Sequence, residues 1–266
     1  MKEQPSRLVA LWCWYHGGAF RGYQSQPQGP TVQDTLIAGL RAAGLSRNPV
    51  PSGRTDLGVH ARMQVLGMRV VEDVAPEDVA ARLNAVLPKD VGIACSRAAP
   101  RKFHPQWKAT AKEYRYRLLL EDDAAWAPFA WRTGVDPERV REVLSLAVGT
   151  RDFFAFHDKS STQMPRTVRE VSLSREGPIA DLHIVGDGFA RYMVRYLVGG
   201  AVAVARGELS VELYRRALED AAPFDGVKAP AQGLILWEVR YPDAMNPFRG
   251  VTPELPPGPP FYASVI

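Results

Sequence analysis

The chain has 266 residues, 46% apolar and 23% charged, and its 33 basic and 29 acidic residues leave a formal charge of +4. That length fits one large α/β domain or two fused halves, and the composition excludes a disordered chain. The longest apolar runs, at 8–15 and 197–205, are too short for a membrane span, and MKEQPSRLV lacks the pattern of a secretory leader. Cys13 and Cys95 show no CxxC or Cys/His spacing, so they read as buried apolar thiols and not as a disulfide or a zinc site. A cytoplasmic protein with no membrane partner is expected.

Strand-like and helix-like segments alternate along the chain. RLVALWCWY (7–15) reads as a buried strand carrying Trp12 and Trp14 on one face, and a turn-rich loop follows it. Thr31 with Asp34 approximates a capping box for a helix bearing Val32, Leu36, Leu40 and Ala43. QVLGMRVV (64–71) is extended. Pro76 falls in the first turn of a helix carrying Val79, Leu83 and Val86, and VGIACSR (91–97) is a strand. In ATAKEYRYRLLL (109–120), Lys112, Tyr114, Tyr116 and Leu118 share one face, with Glu113, Arg115 and Arg117 on the other.

Asp136-Pro137 starts a third helix with Val140, Val143, Leu144 and Ala147 as its apolar stripe. TVREVSLS (167–174) and IADLHIV (179–185) form a hairpin around Glu176-Gly177-Pro178. GFARYMVRYLVGGAVAVARGE (188–208) reads as one long helix that places Arg191 a turn before Arg195, and its Gly199-Gly200 pair suggests close approach of another backbone. Ser210 caps a further helix, and GLILWEVRY (233–241) closes the fold as a strand. Six prolines in the last 21 residues mark a tail that wraps the surface or is disordered. The order implies an α+β fold with a mixed sheet and helices on one face, organised as 1–105, 106–245 and a Pro-rich tail, 246–266.

Charge is uneven. Residues 101–120 hold six basic side chains and one acidic, interleaved with Phe103, His104, Trp107, Tyr114 and Tyr116. A basic strip with aromatic faces suits loop or single-stranded RNA, and 26 of the 33 cations are Arg, the side chain fitted to phosphate and base. Lys112 and Arg117 read either as phosphate contacts or as solvated side chains.

The most compact candidate for chemistry is GRTDLGVH (53–60). Its glycines permit positive φ or close ligand approach, and the loop presents Asp56 with Arg54 two residues away to hold a carboxylate ionised or grip a phosphate. On its own the octapeptide fits a capped turn equally well.

It stands among YHGGAFRGYQSQ (15–26), TVQDTL (31–36), LNAVLP (83–88), FHPQWKATAKEYRYRL (103–118), FARYMVRYLVG (189–199) and APAQGLIL (229–236), in this order. Together these segments closely resemble the tRNA pseudouridine synthase A family, over residues 8–242. The resemblance implies that Asp56 is the catalytic aspartate, that Tyr114 stacks on the target base, that Arg195 pairs with the catalytic carboxylate, and that Arg54 helps extrude the base. It implies a mixed, mainly antiparallel sheet flanked by helices, in two similar halves with a central basic cleft, acting as a homodimer on uridines 38 to 40 of the tRNA anticodon stem-loop.

His16, Tyr23, Leu57 and Gln106 depart from the family's usual Asp, Trp, Ala and Arg, which leaves the RNA contacts and the range of target uridines open. Isomerising uridine breaks N1–C1′ and rejoins the base through C5 with no exchange of atoms or electrons with another molecule, so neither cofactor nor metal is expected. Whether Asp56 serves as nucleophile or base is left open. A non-catalytic RNA-folding protein of the same fold is the alternative, and a metal-dependent nuclease lacks the clustered ligands it would need. His60 and His104 read as hydrogen-bonded loop residues.

Overall fold

The computed structural model describes residues 6–45, 48–158, 161–220, 226–258 and 261. The chain divides into two compact units, Met1–Thr110 with Leu236–Tyr262, and Ala111–Ile235 with Ala263–Ile266. Among the described residues no helix is long and apolar enough to cross a membrane.

The first unit runs β1 (Ser6–Tyr15), α1 (Val32–Ala42), β2 (Val50–Pro51), β3 (His60–Val71), α2 (Asp78–Asn84) and β4 (Val91–Ala98). β1 lies between β3 and β4, antiparallel to both, and its central residues Val9–Leu11 and Cys13 are fully buried. Thr31 caps α1 as its pattern predicts. Its hydroxyl oxygen accepts from the Asp34 N–H at 3.1 Å, and its O–H reaches the Asp34 carboxylate at 2.6 Å. α2 starts two residues after Pro76 and ends before Val86, which is 44% exposed. Beyond Asn84 the chain continues only as a hydrogen-bonded turn, with the Leu87 N–H donating to the Leu83 carbonyl, and the buried residues of the helix are Val79 and Leu83.

The second unit runs β5 (Ala111–Leu119), β6 (Trp131–Arg132), α3 (Pro137–Ser145), β7 (Gly149–Arg151), β8 (Arg166–Glu176), β9 (Ile179–Gly186), α4 (Met193–Ala205) and α5 (Val211–Glu219). Its strands lie in the order β5-β9-β8-β7, antiparallel throughout, while β6 adds a short parallel pairing to β5. The predicted hairpin is β8–β9. α3 opens on Asp136, which accepts from the Glu138 N–H, with Pro137 in its first turn. β10 (Leu234–Arg240) then returns the chain to the first unit, where it lies beside β3 and the Thr110 N–H donates to the Arg240 carbonyl. A boundary drawn along the sequence cannot express that return. The whole is a mixed, mainly antiparallel α+β fold. The tail wraps the first unit as far as it is described, with Phe248 against Trp12 and Phe261 against Trp14.

Two expectations are corrected. Residues 188–192 are not helical: α4 begins at Met193, preceded by Tyr192 in the left-handed region at φ 65°. Arg191 therefore does not share a helix face with Arg195. It is exposed and donates to the Tyr192 hydroxyl at 2.9 Å. The second correction concerns Arg117, which is fully buried. Register sets it opposite Asp181 on β9, whose carboxylate takes its Nε at 2.9 Å, and the guanidinium lies 4.9 Å from the Trp126 ring. Glu113, Arg115 and Asp181 complete a charged ladder across β5 and β9. Arg117, read as a phosphate contact or a solvated side chain, is instead closed in by its own counter-charge.

Candidate active site

In the first unit, loop 53–59 hangs between two strand ends and is braced from below. Gln64 on β3 donates from its amide to the Gly53 carbonyl at 2.7 Å, while its Oε1 accepts from the Ser52 hydroxyl at 2.7 Å. The Tyr15 and Thr55 hydroxyls, both buried, bond at 2.8 Å, and the Tyr23 N–H donates to the Thr55 carbonyl. The Val59 N–H returns to the Asp56 carbonyl at 3.1 Å. The resulting tight turn has Gly58 at φ +82°, a conformation that glycine adopts without strain. Gly17 lets the loop settle: a Cβ there would overlap the Val59 carbonyl, and its N–H donates instead to His60 Nδ1 at 3.0 Å. His60 is thus a buried bracing residue.

This scaffold holds Asp56 half-buried at the crest of the loop, with Arg54 and Leu57 exposed on either side of it. A carboxylate on a braced turn keeps its position without ordering cost when a ligand arrives. Sequence reasoning did not single out Gln64, Tyr15 or Thr55. The available signal was a lone polar Gln64 inside the buried run Met63–Leu66.

Tyr114 and Arg195 belong to the second unit. Tyr114 sits on β5 opposite Ile184, 9% exposed, with the Phe189 ring edge-on at 5.3 Å. Half-buried Lys112 lies two residues earlier on the same face, and desolvation lowers its ammonium to about 8. Of the two readings offered for Lys112, a phosphate contact or a solvated side chain, its burial disfavours the solvated one. Two residues later Tyr116 donates from its hydroxyl to the Pro230 carbonyl at 2.8 Å, and its own burial pushes it well up against the opposing charge of Arg195.

Arg195 is 9% exposed in the first turn of α4. Its Nε donates to the Ala229 carbonyl at 2.7 Å, and the Ala229 N–H donates back to the Arg195 carbonyl at 3.0 Å. The segment comes this close only because residue 199 is glycine, since a Cβ there would overlap the Val227 carbonyl oxygen. The close backbone approach read from Gly199-Gly200 is thus found at Gly199. The Tyr192 ring lies 5.5 Å from the Arg195 guanidinium, with Lys228 Nζ at 4.0 Å and Arg191 at 4.7 Å from the same ring. Arg195 is therefore clamped to the Ala229 segment through Nε and its own carbonyl. Among the described residues no group of three His, Cys, Asp or Glu side chains is arranged to hold a metal ion.

A family model described as tRNA pseudouridine synthase matches residues 144–242. A tRNA pseudouridine synthase A from Geobacter sp. strain M21 is 36% identical over 249 residues, spanning 89% of this chain and 100% of the relative. One from Citrifermentans bemidjiense is 36% identical over 247 residues, spanning 88% and 98%, and one from Clostridium kluyveri 33% identical over 236, spanning 85% and 96%. The chain belongs to the tRNA pseudouridine synthase family. In this synthase the matched span includes the whole of α4 and its clamp on Arg195, while loop 53–59 lies in the first unit, outside it.

Proposed function

We propose that this synthase converts uridine to pseudouridine in the anticodon stem-loop of tRNA, at positions 38 to 40, with Asp56 as its catalytic carboxylate. The observation that carries the reading is the braced turn that holds Asp56 at a loop crest beside the exposed cation Arg54. Isomerisation breaks N1–C1′, turns the freed base, joins C5 to C1′, releases the C5 proton and leaves N1 protonated, so the residue required is one carboxylate placed at the sugar. To bring the sugar to Asp56 the base must leave its stack, at a cost of a few kcal/mol.

Arg54 at the mouth of the loop aids that extrusion, and the Tyr114 ring, held edge-on by Phe189, offers the freed base a stacking face. Arg195, its Nε held by the Ala229 carbonyl, is the residue we assign to pair with the catalytic carboxylate, as the resemblance implies. The protein works as a homodimer in the cytoplasm and uses no cofactor, as the family's pattern implies. A pseudouridine map of tRNA, before and after incubation with the purified protein alone, tests the assignment. Conversion at positions 38, 39 or 40 is expected, and conversion confined to other positions would overturn the stated site.

A further inference from the structure

We propose that Trp107, stacked on His104, is a second base-binding platform that holds an unpaired nucleobase of the RNA substrate other than the reacting uridine. The inference rests on the tRNA reading above. The two rings lie face to face with centroids 3.9 Å apart and planes 7° from parallel. Trp107 is nevertheless 78% exposed, so His104 covers one face and the other stands open. An indole buried on one side and offered to water on the other contributes little to the core, but it presents a flat π-face to a base.

The loop that carries it is rigid. His104 Nδ1 accepts from the backbone N–H groups of Gln106 and Trp107 at 3.2 Å each, and the Lys108 N–H donates to the His104 carbonyl. Desolvation lowers the His104 imidazole, which favours the neutral form that can accept these bonds. Below the loop, Phe103 is buried 5.1 Å from the Tyr241 ring, the Tyr241 hydroxyl donates to the Pro105 carbonyl at 2.7 Å, and Gly67 on β3 makes room for Pro105. The platform is thus ordered before any ligand arrives, which removes part of the entropic cost of binding.

Charge points to the class of ligand. Arg101, Lys102 and Lys108 flank the indole, all exposed, and no acidic residue occurs between Asp90 and Glu113. An exposed aromatic face on a segment whose charges are all basic suits a base with its phosphates. Position separates this base from the one that reacts. Pro105 sits over Gly67, seven residues along β3 from His60 at the foot of the Asp56 loop, roughly 23 Å at the strand rise. One nucleotide cannot occupy both places.

The experiment measures tRNA affinity in the Asp56→Asn background, so that turnover does not disturb the equilibrium, with Trp107→Ala, Trp107→Phe and Lys108→Ala added in turn. Trp107→Ala should weaken binding about 5- to 150-fold, the range of one base–aromatic stack, without altering the slope of log affinity against log salt. Trp107→Phe should restore most of the affinity, and Lys108→Ala should flatten the slope by about one. The tryptophan fluorescence quenched by saturating tRNA should shrink in Trp107→Phe. Affinity of Trp107→Ala within twofold of its parent, or quenching unchanged in Trp107→Phe, would overturn the platform. Failure of the Trp107-intact protein to bind tRNA at all would instead overturn the proposed substrate, and the platform with it.

Discussion

Replacing Gly199 by alanine should destabilise the protein, although the same change in an ordinary helix interior gains about 1 kcal/mol. The added Cβ would overlap the Val227 carbonyl oxygen and fall 2.8 Å from its carbon and 2.9 Å from the Ala229 nitrogen, so residues 227–229 must leave the helix. Two hydrogen bonds go with them. The Ala229 N–H to Arg195 carbonyl bond is worth about 1 kcal/mol, and the Arg195 Nε to Ala229 carbonyl bond, with its charged donor, about 2 kcal/mol. Setting these against the gain in helix propensity leaves a net loss of about 2 kcal/mol. Urea unfolding should show the midpoint falling with an unchanged slope. Tritium release from 5-tritiated uridine in tRNA should slow as well, because Arg195 loses the carbonyl that fixes its guanidinium. A variant stabilised by about 1 kcal/mol with unaltered turnover would refute the clamp.

Arg117→Ala should cost about 3 kcal/mol in urea unfolding, because it leaves the buried Asp181 carboxylate only the more distant Arg115 at 3.8 Å, and Arg117→Met with Asp181→Leu should recover most of that loss. Neither should flatten the salt dependence of tRNA binding, since a fully buried guanidinium touches no phosphate; a flattened slope would contradict the burial. At Tyr114, Phe should bind tRNA nearly as the parent does, while Leu should lose about 1–3 kcal/mol. If the hydroxyl also moves the proton at C5, Phe keeps its affinity and loses about 10²–10⁴-fold in single-turnover rate. Parental binding and turnover in the Leu variant would return Tyr114 to a purely structural place beside Phe189.

Local chemistry was legible wherever it was local. The Thr31 cap, the Asp136-Pro137 start and the β8–β9 hairpin follow from neighbours a few residues apart, and the structure has all three. The alternation of β5 correctly separated Tyr114 and Tyr116 from Glu113, Arg115 and Arg117. It misjudged what covers the charged face, because Asp181 lies 64 residues away and only the β5–β9 register brings it opposite. The start of α4 was misplaced for a different reason. Tyr192 takes a left-handed conformation with no glycine or asparagine to announce it, and the apolar spacing runs through the break. At the candidate site the motif marked Arg54 and Asp56, whereas the brace beneath them comes from Tyr15 and Gln64, whose role exists only once β1 and β3 pair.

The central claim is that one carboxylate on this braced loop performs the isomerisation. Asp56→Asn keeps the shape of the side chain and removes its charge and its nucleophilic oxygen. Tritium release from 5-tritiated uridine in tRNA, measured for this variant beside the unaltered protein, tests the claim most directly. The account predicts release by the parent and none above background by the variant, with tRNA affinity retained. Substantial release by Asp56→Asn would contradict it and assign the chemistry to another acid.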